Sequence, residues 1–337
     1  MKADYYIGID IGSEEYVAGL YQPERKDRPT ESFPNSEEGF EAFEQWLQAR
    51  GVTPENSVLC MESTGVYGEA LSYHLAVHQW RIAVEAPQKV KRGMHKHVKN
   101  DRVDARQIAE YAYRYSDELA VWQIPEATLK HIETLLATRR HCMKQRNTII
   151  NRLKALRRQV FRTSAAEVIM EQQLDLIDKQ LAELDKELKR EVKSNPDFRE
   201  KTALALSVPG IGDMMALHLL VITKGFREHL NHKQLSSHLG ICPYEYSSGT
   251  SVFRPARARK KGPKECRKNL YLASMSVTRN NAYFRQYFLD KKAQHKPGRL
   301  ILNNIGNKIL KILCAVMNSR TKFNPHHISR SPIIQYS

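Results

Sequence analysis

The sequence predicts an α/β domain followed by two α-helical regions, and three observations carry that expectation. Short apolar runs alternate with helical spacing over residues 1 to about 118. From Ala127 to Val192 the chain is almost without Gly or Pro, and its apolar positions take heptad spacing. Asn195-Pro196 then closes that stretch, and a third, mainly helical region follows.

In the first region Tyr5–Ile11 reads as a strand, and Tyr16–Tyr21, with Tyr16, Ala18 and Leu20 alternating, reads as its hairpin partner. A third, shorter strand is expected near Glu31–Phe33. Ser36 is an N-cap for a helix carrying Phe40, Phe43, Trp46 and Leu47 at helical spacing. Val58–Met61 is expected as a strand, Tyr67–Val77 as a helix, Ile82–Val84 as a strand and Asp104–Tyr113 as a helix. The order βββαβαβα is that of an RNase H-like domain, whose first and fourth strands lie side by side. That order would set Asp10 next to Glu62, with the last helix presenting Asp101 and Asp104. The last pair is spaced i, i+3, so both carboxylates share a face if a helix begins there.

In the middle region Ile149, Leu153, Leu156 and Val160 run 4-3-4, and Leu174, Ile177, Leu181, Leu184 and Leu188 run 3-4-3-4. Each is a coiled-coil seam, and a break near Arg162–Ala165 predicts two long helices folded back on each other. Such a hairpin has apolar edge to spare for self-association. The third region opens with Val208-Pro209-Gly210-Ile211-Gly212, which reads as the turn of a helix-hairpin-helix, its glycines letting backbone N–H groups approach a phosphate at a helix N-terminus. After Leu239-Gly240-Ile241-Cys242-Pro243-Tyr244-Glu245-Tyr246-Ser247-Ser248-Gly249 comes a basic run with Arg254, Arg257, Arg259, Lys260, Lys261, Lys264, Arg267 and Lys268. The resulting division is 1–118, 119–196, 197–325 and a tail over 326–337.

The chain has 337 residues, 53 Lys+Arg against 37 Asp+Glu, a net charge of +16 and a pI near 9.6. An excess of that size favours a polyanionic partner, because neutralising phosphates releases counterions. Against this background carboxylates gathered in the interior call for a compensating charge. Asp10, Glu62, Asp101 and Asp104 are candidates for one hard divalent cation such as Mg²⁺, held through carboxylate oxygens. Cation and polyanion together point to phosphodiester chemistry. The five cysteines are scattered without a Cys-x-x-Cys pair, which argues against a cysteine zinc site and fits a reducing compartment. No signal segment is read at the start and no apolar run is read as a bilayer span, so a cytoplasmic, nucleoid-associated protein is expected. His95 and His97 form His-x-His without a third ligand nearby and are read as exposed or phosphate-facing.

With these pieces named, the chain resembles the DEDD-type insertion-sequence transposases of the family numbered one-hundred-and-ten. Gly-Ile-Asp at Asp10, Glu-Ser-Thr-Gly at Glu62 and Lys-x-Asp-x-x-Asp-Ala at Asp101 and Asp104 match its N-terminal half. Pro-Gly-Ile-Gly at 209–212, Leu-Gly-x-x-Pro, Tyr-Ser-Ser-Gly and a basic stretch ending Lys-Gly match its C-terminal half. Asn304-Ile305-Gly306-Asn307-Lys308 resembles the closing element. The resemblance implies a RuvC-like domain with metal-binding carboxylates and a transposase domain with a nucleophilic serine. By position that serine is Ser248, with Ser247 as the second choice. It also implies an RNA-guided recombinase, with a bridge RNA specifying donor and target DNA, working as a homo-oligomer between dimer and tetramer. Candidate nucleic-acid contacts are Lys99, Arg102, Gly210, Gly212, Arg254, Arg257, Arg259, Lys260, Lys261 and Lys264. Gly-Thr-Ser follows the serines where a Gly-Lys-type sequence is commoner in the family, and the usual Ile is missing before Lys260.

Three other readings compete. Gly-Ile-Asp-Ile-Gly-Ser resembles the first phosphate loop of an actin-like sugar kinase, but the second phosphate loop and an adenosine motif are not found. A RuvC-like nuclease would use the same carboxylates with water as nucleophile. A nucleic-acid-binding scaffold with a decayed site would not need all four carboxylates.

Overall fold

A computed structural model describes residues 3–63, 65–93, 100–228, 231–248, 252–258 and 262–325, with backbone alone at 92–93, 245–248 and 252–257. The chain divides into two compact units, Met1–Pro125 and Glu126–Ser337.

The first unit is built on β1 (Tyr5–Ile11), β2 (Glu15–Tyr21), β3 (Thr30–Pro34), α1 (Glu37–Gln48), β4 (Ser57–Glu62), α2 (Glu69–Val77), β5 (Ile82–Glu85), α3 (Pro87–Gly93) and α4 (Asp101–Arg114). The sheet order is β3-β2-β1-β4-β5, antiparallel among the first three strands and parallel from β1 through β4 to β5. This is a mixed α/β sheet of the RNase H-like order, with the first and fourth strands adjacent as expected. The strands β1 and β4 are nearly continuous apolar runs because both faces of the sheet are covered. On one face Ile7, Ile9, Leu59, Met61 and Ile82 pack with Phe40, Phe43 and Leu47 of α1 and Leu71 and Leu75 of α2. Each such side chain contributes about 1.5–3 kcal/mol on burial. On the other face Tyr6, Val58, Cys60 and Ala83 meet Ile108, Tyr111 and Ala112 of α4.

Local signals set the helix ends. Ser36 caps α1 by accepting from Gly39 N, and Asn100 caps α4 by accepting from Arg102 N. Two expectations need correction. The helix expected from Tyr67 begins at Glu69, and α3 has no counterpart in the sequence reading. Its seven residues, Pro-Gln-Lys-Val-Lys-Arg-Gly, have Val90 as their buried apolar anchor, too little for a periodic signal.

The second unit contains α5 (Ala127–Leu156), α6 (Ser164–Ser194), α7 (Pro196–Leu206), α8 (Asp213–Ile222), α9 (His232–His238), β6 (Pro243–Ser248), β7 (Val252–Ala258), α10 (Lys264–Asn280), α11 (Ala282–Ala293) and α12 (Gly298–Ser319). The helices α5 and α6 run antiparallel. Arg139 Nε lies 2.6 Å from Asp185 Oδ1, and seven residues on along α5 and seven back along α6 Arg146 Nε lies 2.6 Å from Asp178 Oδ1. Leu129, Ile132, Leu136, Leu188 and Val192, at the near end of the pair, join the core made by the later helices, while Cys142, Ile177 and Leu181 form a smaller cluster farther out. Val160, expected in the seam, is 92% exposed, because α5 stops at Leu156 and the connection occupies 157–163 rather than starting at Arg162.

The third region is mainly helical, but β6 and β7 form an antiparallel two-stranded sheet that the sequence reading took as turn and basic run. The helix α12 was not singled out as an apolar stretch from the sequence. Its most apolar 18 residues have a mean hydropathy of 1.4, so by length and composition alone it is long and apolar enough to cross a membrane, but half of those residues are buried within the protein. Ile301, Ile305, Ile309 and Leu313 make it a central helix of this unit's core. Gly306 lets it approach α10, with Leu270 Cγ 3.2 Å from where a Cβ would stand.

Candidate active site

Strand alternation assigns the acidic groups to one face. In β1 Tyr6, Gly8 and Asp10 share the face that α4 covers, and in β4 Val58, Cys60 and Glu62 do the same. The strands are parallel with Ile9 opposite Met61, so Asp10 and Glu62 leave the sheet at the same end. Gly8 lets α4 come down onto the sheet: a Cβ there would stand 2.1 Å from Ala105 O and 2.2 Å from Ala109 N. Just before Ala105, Asp101 and Asp104 occupy the first turn of α4, where the helix dipole favours negative charge. Asp10 and Asp101 line one cavity of about 410 Å³, together with Gly12, Ser13, Glu14 and Glu15. Asp10, Glu62 and Asp104 are half-buried and Asp101 is exposed.

Two lysines of α3 bring positive charge to this end of the sheet. Lys91 Nζ is 3.9 Å from Glu62 Oε1, and Lys89 Nζ is 2.8 Å from Glu85 Oε2. Glu85 was not singled out from the sequence, although it is the residue opposite Glu62 on β5 and is buried. Its signal was there: a lone acid ending an apolar strand, as at Glu62. Burial first, and then the charge of Glu85, push the Cys60 thiol and the Tyr111 hydroxyl each up to about 12, so both stay protonated near neutral pH. The donor set of four carboxylates on one face suits a hard, oxygen-seeking divalent cation.

The second locus lies in the other unit. Ser248 is the last residue of β6, paired with Val252 of β7. Both stems of this hairpin are tied to the helical core. Arg267 Nη1, on α10, donates to Leu239 O (3.3 Å) and to Gly262 O (2.7 Å). Asn303 Nδ2, on α12, donates to Ile241 O at 3.1 Å, and Ser237 Oγ bonds Tyr244 Oη. Gly262, at φ 103°, is obligatory, because a Cβ there would stand 2.0 Å from His238 O. Arg267 therefore clasps two carbonyls instead of standing in a solvated basic run, and neither its role nor that of Asn303 was legible from spacing.

Gly210 and Gly212 join α7 to α8. Gly210, at φ 86°, packs against α10, with Val277 Cγ1 2.6 Å from where its Cβ would be. Gly212 caps α8 and faces open space. Both line a cavity of about 730 Å³ that also receives Lys189, Lys193, Arg199 and Asp213. Arg102 and Lys264 are on α4 and α10, and both are exposed. Arg254 and Arg257 lie on β7. Lys99, Arg259, Lys260 and Lys261 lie outside the described residues, as do His95 and His97.

Residues 7–162 match the model of a DEDD-type transposase, and residues 202–289 match that of the transposase IS116/IS110/IS902 family. Over 323 residues, 95% of this chain and 97% of theirs, the sequence is 25% identical to pilin gene-inverting proteins of Moraxella lacunata and Moraxella bovis. It is 27% identical over 191 residues, 49% of this chain and 50% of the relative, to the transposase for insertion sequence element IS1111A of Coxiella burnetii.

Proposed function

The chain belongs to the IS116/IS110/IS902 transposases and is a DNA recombinase of insertion elements, and from that premise we propose that it cuts and rejoins DNA through a covalent bond to Ser248. In this reading Asp10, Glu62, Asp101 and Asp104 hold Mg²⁺, and a guide RNA selects donor and target DNA. The observation that supports the metal part is that Asp10 and Glu62 leave the same end of the sheet, while Asp101, in the first turn of α4 with Asp104, lines one cavity with Asp10. When bound, Mg²⁺ would polarise the scissile phosphate or stabilise the leaving oxygen.

The chain's own groups supply the rest. The Ser248 hydroxyl, a weak nucleophile that needs activation, forms a bond to phosphorus as the bond from phosphorus to a deoxyribose oxygen breaks. The serine proton is given up, and the leaving oxygen takes up a proton to become a free hydroxyl. A hydroxyl of the partner strand then attacks the phosphoserine and restores the serine, so rejoining needs no ATP. Full-length relatives named for inverting a pilin gene suit a chemistry that rejoins what it cuts.

Arg102, Gly210, Gly212, Arg254, Arg257, Lys264 and, outside the described residues, Lys99, Arg259, Lys260 and Lys261 take phosphate contacts. With affinity drawn from phosphates, base choice falls to the paired RNA. Functionally the chain divides into a metal-binding part over 1–118, a helical hairpin over 119–196 and a serine-bearing part over 197–325. The hairpin's heptad seams support association into a dimer or tetramer acting on DNA in the cytoplasm.

Trapping decides the chemistry. With Mg²⁺, guide RNA and labelled DNA, the protein should form a denaturation-resistant adduct that Ser248→Ala abolishes while nucleic-acid binding stays nearly unchanged. An adduct in Ser248→Ala would move the role to Ser247 or Tyr246. Cleavage with no adduct at all would make this a nuclease that uses water.

A further inference from the structure

We propose that the first unit holds a second metal site, for Zn²⁺ or a similar transition ion, formed by Glu44, His74 and His78. Glu44 is on α1, His74 is on α2, and His78 is the residue that caps α2 one turn later. Histidines at i and i+4 share a helix face. Their ligand atoms and a Glu44 oxygen all lie within 4.8 Å of one another. His78 Nδ1 is 2.8 Å and His74 Nε2 is 3.2 Å from the same Glu44 Oε1. In a tetrahedral Zn²⁺ site with bonds of about 2.0–2.1 Å, neighbouring ligand atoms are about 3.3 Å apart. The three groups thus already stand near the spacing a metal would impose.

A hydrogen-bond cluster alone leaves an atom unexplained. Glu44 Oε1 accepts from Trp80 Nε1 at 3.0 Å and is bonded to His78 Nδ1. His74 Nε2 lies 3.2 Å from the same oxygen yet is buried without a hydrogen-bond partner. A cation seated among the three would take that lone pair. The Trp80 N–H would remain to orient the carboxylate, as donors behind a metal ligand usually do. The His78 side chain is 45% exposed, which gives ions and water ligands access. Two imidazoles and one carboxylate suit Zn²⁺ and its neighbours and are poor for Mg²⁺, which wants oxygen ligands.

The site is separate from the four carboxylates. Asp10 and Glu62 lie at the C-terminal ends of β1 and β4. The helix α2 runs back from there, and His78 stands just before Trp80 and the start of β5. A metal here would staple α1 to α2 at the far end of the sheet, holding structure instead of reacting.

Full-length protein cleared of metal by a chelator is titrated with Co²⁺ in excess Mg²⁺, in the wild type and in Asp10→Asn. One equivalent should give the visible absorption bands of low-coordinate, nitrogen-ligated Co²⁺ in both, and Zn²⁺ should abolish them. Zn²⁺ at about 100 times its dissociation constant should raise the Tm by on the order of 5–10 °C. Glu44→Gln and His78→Ala should each weaken Co²⁺ binding by more than about 100-fold, and Trp80→Phe by about 10–100-fold. Absence of the bands in the wild type, or their survival at one equivalent in Glu44→Gln or His78→Ala, overturns the proposal. Neither result touches the reading of Ser248 and the four carboxylates.

Discussion

An alanine at position 8 would drive its Cβ into the carbonyl of Ala105 and the amide of Ala109, both backbone atoms of α4 with no side chain to yield. The helix would have to lift, and it carries Asp101 and Asp104. Gly8→Ala should therefore destabilise the protein by roughly 1–3 kcal/mol or more in a denaturant titration and abolish DNA cleavage. Gly19 also faces α4, but its added Cβ would stand 3.0 Å from Ala105 C and Arg106 N. Gly19→Ala should thus cost less and keep more activity. Equal losses in the two variants would show that the α4 approach is not what sets the carboxylates. The same residue scale explains the partial legibility of this site. Asp10 and Glu62 announce themselves as acids closing apolar strands. The glycine that lets α4, with Asp101 and Asp104 in its first turn, lie close on the sheet is recognisable only once a helix lies on it.

At the scale of elements, the β6–β7 hairpin depends on α10 and α12 for its footing. Removing the Arg267 guanidinium leaves Leu239 O and Gly262 O without their donor, a loss of about 1–3 kcal/mol. Arg267→Ala should lower adduct formation on DNA far more than Lys268→Ala. The latter removes the same unit of charge but only a 3.7 Å pair with Glu265. Matching losses would mean that charge, not the clasp, is what matters. The helix pair α5–α6 offers a test in pH. Hydrogen bonds from Arg146 and Arg162 hold the carboxyls of Asp178 and Glu167 below the usual carboxylate range. The folded pKa is depressed, so the stabilisation is present above the unfolded values near about 4 and is lost as pH falls through the folded ones. Asp178 and the arginine that binds Glu167 stand largely in solvent, which keeps the effect modest. Amide hydrogen exchange around Asp178 should speed up in that window, and Arg146→Gln should remove most of that dependence.

For the whole molecule the expected behaviour is that of an oligomer with shared sites. If each chain contributes one nucleophilic serine, as proposed, four strand cuts would be supplied most simply by a tetramer. Mixing Ser248→Ala protein with Asp10→Asn protein should then restore part of the activity that each lacks. Some sites would receive an intact serine from one chain and intact carboxylates from another. No recovery in mixtures whose mixed oligomers are verified by mass would mean that each chain builds its own site.

The division between sequence and tertiary structure follows from the range of the interactions involved. Apolar alternation, helical spacing and caps act within a few residues. The order of strands and helices, the α1 cap at Ser36 and the acidic residues at strand ends could therefore be read directly from the chain. Heptad spacing likewise marked α5 and α6, but it ran on to Val160, because spacing alone does not say where a helix stops finding a partner. What needed the folded chain is contact between distant segments. Burial of Glu85 beside Glu62, the Arg267 clasp on two stems, the packing of Gly210 on α10 and the meeting of Glu44 with His74 and His78 join residues that no local period relates. Local chemistry in this chain chose the elements, and packing between them decided which side chains stand together.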